Sequence, residues 1–175
     1  MTRIVALLRG VNIGKRQLPM ASLRAGLEAA GCHGVATYVQ SGNVVATPPA
    51  DAGRDVAGWL EHTIGEIAGF DVPVVVRSAT ELKQTVAHNP YPQAGGTLLH
   101  VVFCSAEPAP FAADLDALAP EHATVHGSDV YLHLPNGMGR AQLPTLVDKE
   151  LRRAGIVGTA RNWNTVQRLL EMAVR

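Results

Sequence analysis

Several common signatures of function are scarce in this chain. Its 175 residues include only two cysteines, Cys32 and Cys104, which give neither a disulfide framework nor a zinc-ligand spacing. Neither sign of charge dominates, with 15 Lys and Arg against 15 Asp and Glu. That balance argues against a histone-like or polybasic nucleic-acid binder while leaving room for a local basic patch. There is no long apolar run either. Ile4–Leu8, bracketed by Arg3 and Arg9, is far below the ~20 residues of a membrane span and too short for a signal-peptide core. These absences predict a soluble cytoplasmic protein with no membrane partner. The 47% of hydrophobic residues and 17% of charged ones supply a core and exclude disorder. The length suits one domain or two small ones.

Hydrophobic patterning predicts an alternating order of elements. Arg3–Arg9 reads as a strand that is apolar on both faces, with Ile4, Ala6 and Leu8 on one and Val5 and Leu7 on the other; such a strand is central and covered on both sides. A Gly- and Lys/Arg-containing loop over 10–19 leads to a helix over Met20–Ala30, stopped by Gly31. Strands at Val35–Gln40 and Asn43–Thr47 flank a Ser41-Gly42 turn. A helix over Asp51–Ala68 carries Trp59, Leu60, Ile64 and Ile67 as its stripe, with Asp51 as its cap. A Val-rich strand over Val72–Arg77 and a helix over Thr80–His88, capped by Thr80, complete the half. Residues 91–96, Tyr-Pro-Gln-Ala-Gly-Gly, read as a linker.

The second half repeats the order. It has a strand over Thr97–Cys104, a helix over Ala109–Leu118 and a hairpin of His122–His126 with Asp129–Leu134 around Gly127-Ser128. A helix over Leu143–Ala154, a strand over Val157–Arg161 and a closing helix over Asn164–Val174 follow. Val76–Leu82 aligns with Ala160–Val166, and Ile4–Gly10 with Leu98–Cys104, as an internal duplication. The expected fold is α+β: two tandem ferredoxin-like (βαββαβ) halves, residues 1–90 and 97–175, each followed by an extra helix. Their double-sided first strands require the open sheet faces to be covered by each other or by a second chain, as in a homodimer.

Three motifs carry a family resemblance: Ala6-Leu7-Leu8-Arg9-Gly10-Val11-Asn12, Thr37–Val45 with Gln40-Ser41-Gly42-Asn43 at its centre, and Arg161-Asn162-Trp163-Asn164-Thr165-Val166. Together they make the chain, from Val5 to Met172, similar to the bacterial family DUF1697. The resemblance implies a two-part α/β architecture and names no substrate, cofactor or catalytic residue. One departure stands out. The family usually carries Ser-Lys after its Gly-x-Gly turn, whereas Gly137-Met138-Gly139-Arg140 is followed here by Ala141-Gln142, leaving Arg140 as the nearest cation.

Candidate site residues gather at two places. The ferredoxin-like order brings the end of the first strand to the turn between the second and third. That collects Arg9, Asn12, Lys15, Arg16, Gln40, Ser41 and Asn43. Cations and amides on a Gly-loosened backbone suit a phosphate or carboxylate. The same residues equally serve as ties between loop and hairpin. Gly10–Arg16 is not a P-loop, because the Gly spacing is one residue short and Arg16 replaces the magnesium-binding Ser/Thr. The second place is Arg161, Asn162, Trp163 and Asn164. Here Asn164 reads as a helix cap and Trp163 as a plug or a stacking surface.

The second hairpin has its own pattern. A two-residue turn pairs His126 with Asp129, Val125 with Val130, Thr124 with Tyr131 and His122 with His133. Alternation places His122, Thr124, His126, Asp129, Tyr131 and His133 on one face. With His100, Val102 and Cys104 assigned to that face, His100, His122 and His133 form a weak candidate metal set. Catalytic constellations are otherwise lacking: Ser41 has no nucleophile elbow, Cys32 beside His33 reads as a core filler, and no carboxylate pair shares a cleft.

The leading expectation is a binding module for a small anionic ligand or nucleotide. The alternatives are a nucleic-acid binder, a metal-dependent enzyme using the His face, and a structural or protein-interaction domain. No RNP-like aromatic pattern supports the first of these, and no cofactor is indicated.

Overall fold

The computed structural model describes residues 2–112 and 115–175. Two compact units emerge, one of Met1–Leu82 with Leu169–Arg175 and one of Lys83–Arg168. Residues 91–96 therefore lie within the second unit.

The first unit is built on a sheet of four antiparallel strands in the order β2-β3-β1-β4. These are β1 (Ile4–Leu8), β2 (His33–Tyr38), β3 (Asn43–Thr47) and β4 (Val74–Ser78). Helices α1 (Met20–Ala29) and α2 (Val56–Ala68) join them in the chain order β1-α1-β2-β3-α2-β4. As its two-sided apolar pattern requires, β1 is central and buried along its whole length. Ile4, Ala6, Leu8, Val44, Ala46 and Val74 pack with Leu23 and Leu27 of α1 and Leu60 and Ile64 of α2. The opposite face, with Val5, Leu7, Val45 and Val75, is buried as well and contains the polar Asn43 and Arg77.

Local chemistry shifts several boundaries. Instead of starting at Asp51, α2 starts after Asp55, whose side chain accepts from the Gly58 amide at 3.0 Å. Gly53 at φ 71° separates a short 3-10 turn, Ala50–Ala52, from the helix. The β2–β3 turn is four residues long, Val39–Gly42, with Tyr38 opposite Asn43. Helix α3 (Ala79–Ala87) is capped by Ser78 rather than Thr80. Ser78 Oγ accepts from the Glu81 amide at 3.1 Å and Glu81 Oε2 accepts from the Ser78 amide at 2.7 Å, a reciprocal capping box.

The second unit has the same strand order, β6-β7-β5-β8. Its strands are β5 (Leu99–Cys104), β6 (His122–His126), β7 (Asp129–His133) and β8 (Gly158–Asn162). Val102, Cys104, Val130 and Leu132 pack with Leu143, Val147 and Leu151 of α4 (Leu143–Arg153). Glu121 reaches across to the start of α4, where its carboxylate accepts from the amides of Gln142 and Leu143 at 3.1 and 2.8 Å.

The expected helix over Ala109–Leu118 is not formed across 109–112, and a 3-10 turn occupies Asp116–Leu118. Residues 113 and 114 lie outside the described part. Pro108 and Pro110 explain the loss, since each removes an amide donor and turns its predecessor away from helical geometry. Helix α5 (Trp163–Ala173) begins one residue earlier than expected, capped by Asn162 and not Asn164: Asn162 Oδ1 accepts from the Thr165 amide at 2.9 Å. Among the described residues, no helix is long and apolar enough to cross a membrane.

Candidate functional site

The polar end of the first unit is assembled from two segments. Leaving β1, the chain turns at Gly10 (φ 69°) and Asn12 (φ 55°). Ile13 and Arg16 close a tight turn around Gly14 (φ 56°) and Lys15, and the Arg16 amide donates to the Ile13 carbonyl at 3.1 Å. The Asn12 side chain is central to this loop. Its Oδ1 accepts from the Leu18 amide at 2.8 Å, and its Nδ2 donates to the Leu18 and Gln40 carbonyls at 3.0 and 2.7 Å. The last of these bonds joins the loop to the β2–β3 turn, so the two segments meet as the topology predicts. A second tie runs from the Leu8 amide to the Gly42 carbonyl at 2.8 Å.

Arg16 is held as firmly. Its Nε donates to the Gly10 carbonyl at 2.8 Å, an Nη donates to the Asp71 carbonyl, and the guanidinium lies 4.5 Å from the Phe70 ring centroid. The atoms it contacts are uncharged: two backbone carbonyl oxygens and an aromatic face. Asn43 is fully buried, and its Nδ2 donates to the Tyr38 carbonyl and to Ser41 Oγ at 2.9 and 3.0 Å. Thus Asn12, Ser41 and Asn43 brace the site. Arg9 is half-buried with its amide on the Pro73 carbonyl at 2.9 Å, while Lys15 and Gln40 are exposed. The first fifty residues carry five Lys and Arg against one carboxylate, Glu28, in a chain whose total is neutral.

The other candidate group is mostly interior. Arg161 is buried, and its guanidinium donates to Thr159 Oγ1 at 2.7 Å and to the Ala160 carbonyl at 2.8 Å. Burial pushes its pKa down to about 10, still charged at neutral pH. Asn162 is occupied as a cap, and Trp163, 8% exposed, offers no open face for a base to stack on. Asn164 is exposed and lies against Gly96, where an added Cβ would fall 1.9 Å from Asn164 Oδ1.

The hairpin register matches the sequence reading at every pair, from His126 opposite Asp129 to His122 opposite His133. The His triad does not form. Leu99, Val101 and Phe103 lie opposite His133, Tyr131 and Asp129, while His100 and Val102 lie opposite Leu132 and Val130. His100 therefore belongs to the sheet face packed with α4, away from His122 and His133. The error has a physical origin: β5 is buried at every position, so no alternation marks its faces. Burial lowers the His100 pKa, and its Nδ1 is buried without a partner. Among the described residues, no group of three or more His, Cys, Asp or Glu has a metal-binding arrangement.

The polar hairpin face has partners that the sequence did not reveal. Thr85 Oγ1 donates to Asp129 Oδ2 at 2.5 Å, and the Tyr131 hydroxyl donates to the Thr85 carbonyl at 2.7 Å. The His88 and His126 rings stack with centroids 3.9 Å apart, and the Tyr91 hydroxyl lies 2.7 Å from Thr124 Oγ1. Burial first, and the charge of Asp129 second, raise the Tyr131 pKa, so this hydroxyl stays protonated. Cys32 is buried and its thiol pKa is raised by that burial, which makes it a poor nucleophile.

Comparison with known proteins gives a family and a fold. The family described as "Protein of unknown function (DUF1697)" matches residues 1–131. A solved structure described as the conserved bacterial protein SP0830 from Streptococcus pneumoniae is similar over 100% of this chain and 99% of its own. It has a TM-score of 0.73 and 20% sequence identity. No curated protein matches.

Proposed function

Because the chain belongs to the DUF1697 family, whose function is unknown, we propose from its own geometry that it is a binding module for a small anion. The ligand bears a phosphate or carboxylate and sits at the tip formed by the Gly10–Leu18 loop and the Val39–Gly42 turn. One observation carries this reading. Lys15 stands exposed on a turn that Asn12 and Arg16 brace from behind, and among the described residues the Gly14 and Lys15 amides make no hydrogen bond. A cation beside unspent amides on a braced turn favours an anion by charge-assisted hydrogen bonds, with little backbone ordering entropy left to lose. Arg9 and Arg16 add to the field, and the Gln40 amide and Ser41 hydroxyl lie on the adjoining turn.

The test is amide chemical-shift mapping with inorganic phosphate and a nucleoside diphosphate. Gly14, Lys15, Gln40 and Ser41 are expected to shift together. Lys15→Glu should weaken binding by about ten- to a hundredfold with the melting temperature unchanged. Absence of shifts at those amides at the highest soluble phosphate concentration would overturn the reading.

The fold reading that goes with this function is a pair of ferredoxin-like units related by duplication. It is supported by the shared strand order and by matching positions: Asn43 with Asp129 after each hairpin turn, Arg77 with Arg161, and the caps Ser78 and Asn162. By ladder position Ile4–Leu8 corresponds to His100–Cys104, two residues later than the sequence alignment placed it. Two buried free cysteines are in keeping with a soluble protein of the cytoplasm.

A further inference from the structure

The same tip carries two aliphatic side chains that the fold does not use. Ile13 is 67% exposed and Val39 50% exposed. Val39 also sits at φ 50°, a region that β-branched residues rarely occupy and that Gly or Asn adopts readily. With half of its surface in water, burial at most balances that strain and leaves no gain in stability over Gly or Asn, which points to a use outside the fold. Each of the two residues is one position from the Asn12–Gln40 hydrogen bond that joins loop to turn. Lys15 and Arg16 follow Ile13 on the same turn, the segments 9–18 and 38–43 contain no carboxylate, and Asp71, whose carbonyl accepts from Arg16, is the acidic residue beside them.

Aliphatic surface next to the cations Lys15 and Arg16 complements an anionic head group on an aliphatic stem. We propose that the ligand of this tip is a small amphiphile, such as an alkyl phosphate, with Lys15 facing the head and Ile13 and Val39 covering the stem. This rests on the anion reading above and names the class of ligand. The surface complements one dissolved molecule, and a bilayer bearing the same head group is the competing source that the test separates.

The full-length protein is titrated with inorganic, methyl, butyl and hexyl phosphate below their aggregation limits, and separately with phosphatidylglycerol vesicles. Affinity is expected to climb by about twofold per methylene, below the about fourfold of complete burial. In Ile13→Ser/Val39→Asn the climb should vanish while inorganic phosphate binds as before. Its melting temperature should hold or rise, because Asn relieves the strained turn. A flat series with phosphate still bound overturns the amphiphile and leaves the anion reading standing. Failure of phosphate and of every alkyl phosphate overturns both. A climb that persists in the double variant, or vesicle binding with a flat soluble series, also overturns the proposal.

Discussion

The two hairpins make an informative pair. Both return to a central strand whose face carries a buried polar residue immediately after the turn, Asn43 in the first unit and Asp129 in the second. The second turns in two residues, with Gly127 at φ 56° taking the positive backbone angle. The first uses four and places a β-branched valine at φ 50°. The second turn follows ordinary hairpin chemistry. The first departs from it at the place where a braced basic loop adjoins, which is where the proposed ligand is assigned.

The largest effect should separate the two turns themselves. At Gly42 (φ 79°) an added Cβ would fall 2.7 Å from both Leu8 Cβ and Val11 Cγ2, whereas at Gly127 nothing lies within 4 Å. Leu8 Cβ is fixed to the backbone and cannot swing aside. Overpacking and left-handed strain together put Gly42→Ala at about 4 kcal/mol, against about 1 kcal/mol of strain alone for Gly127→Ala. Urea denaturation of the two variants measures this directly. Equal losses would mean that the first turn is as open as the second.

A smaller difference should follow at the buried polar residues. Asp129→Ala leaves the Thr85 hydroxyl without its acceptor and removes a buried carboxylate, at a cost of about 3 kcal/mol. Asn43→Ala frees the Tyr38 carbonyl near a solvent-exposed turn, at about 1–2 kcal/mol. The reverse ranking in chemical denaturation would show that the first hairpin, not the second, is the better-tied one.

The smallest effect concerns His100, whose counterpart in the first unit is the apolar Ile4. Its folded pKa lies below the ordinary value of 6.5 because burial disfavours the imidazolium. Above pH 6.5 both folded and unfolded states hold it neutral. As pH falls below 6.5 the unfolded state takes up the proton first, so stability declines until the lowered folded pKa is reached. His100→Leu should remove that part of the acid slope and add about 1 kcal/mol at neutral pH by replacing an unsatisfied buried nitrogen. An unchanged slope in melting temperature between pH 7 and pH 5 would show that His100 does not carry the acid sensitivity.

By itself the sequence determined what depends on neighbours along the chain. The β6–β7 register was readable because a two-residue turn leaves a single pairing and the alternation is strict. The meeting of the 10–18 loop with the 39–42 turn followed from strand order. Starts of the helices that form were readable to within five residues, whereas the helix expected over Ala109–Leu118 is not formed across 109–112; Ser78 and Asn162 rather than Thr80 and Asn164 act as caps because the strands run directly into their helices. Only the tertiary structure decided the rest. It chose the face of β5, where every residue is buried and no period survives, and so moved His100 away from His122 and His133. It also brought Thr85 to Asp129 and His88 to His126, across separations of roughly forty residues. Local periodicity carries no information about such pairings, because they form only when packing brings remote elements into contact.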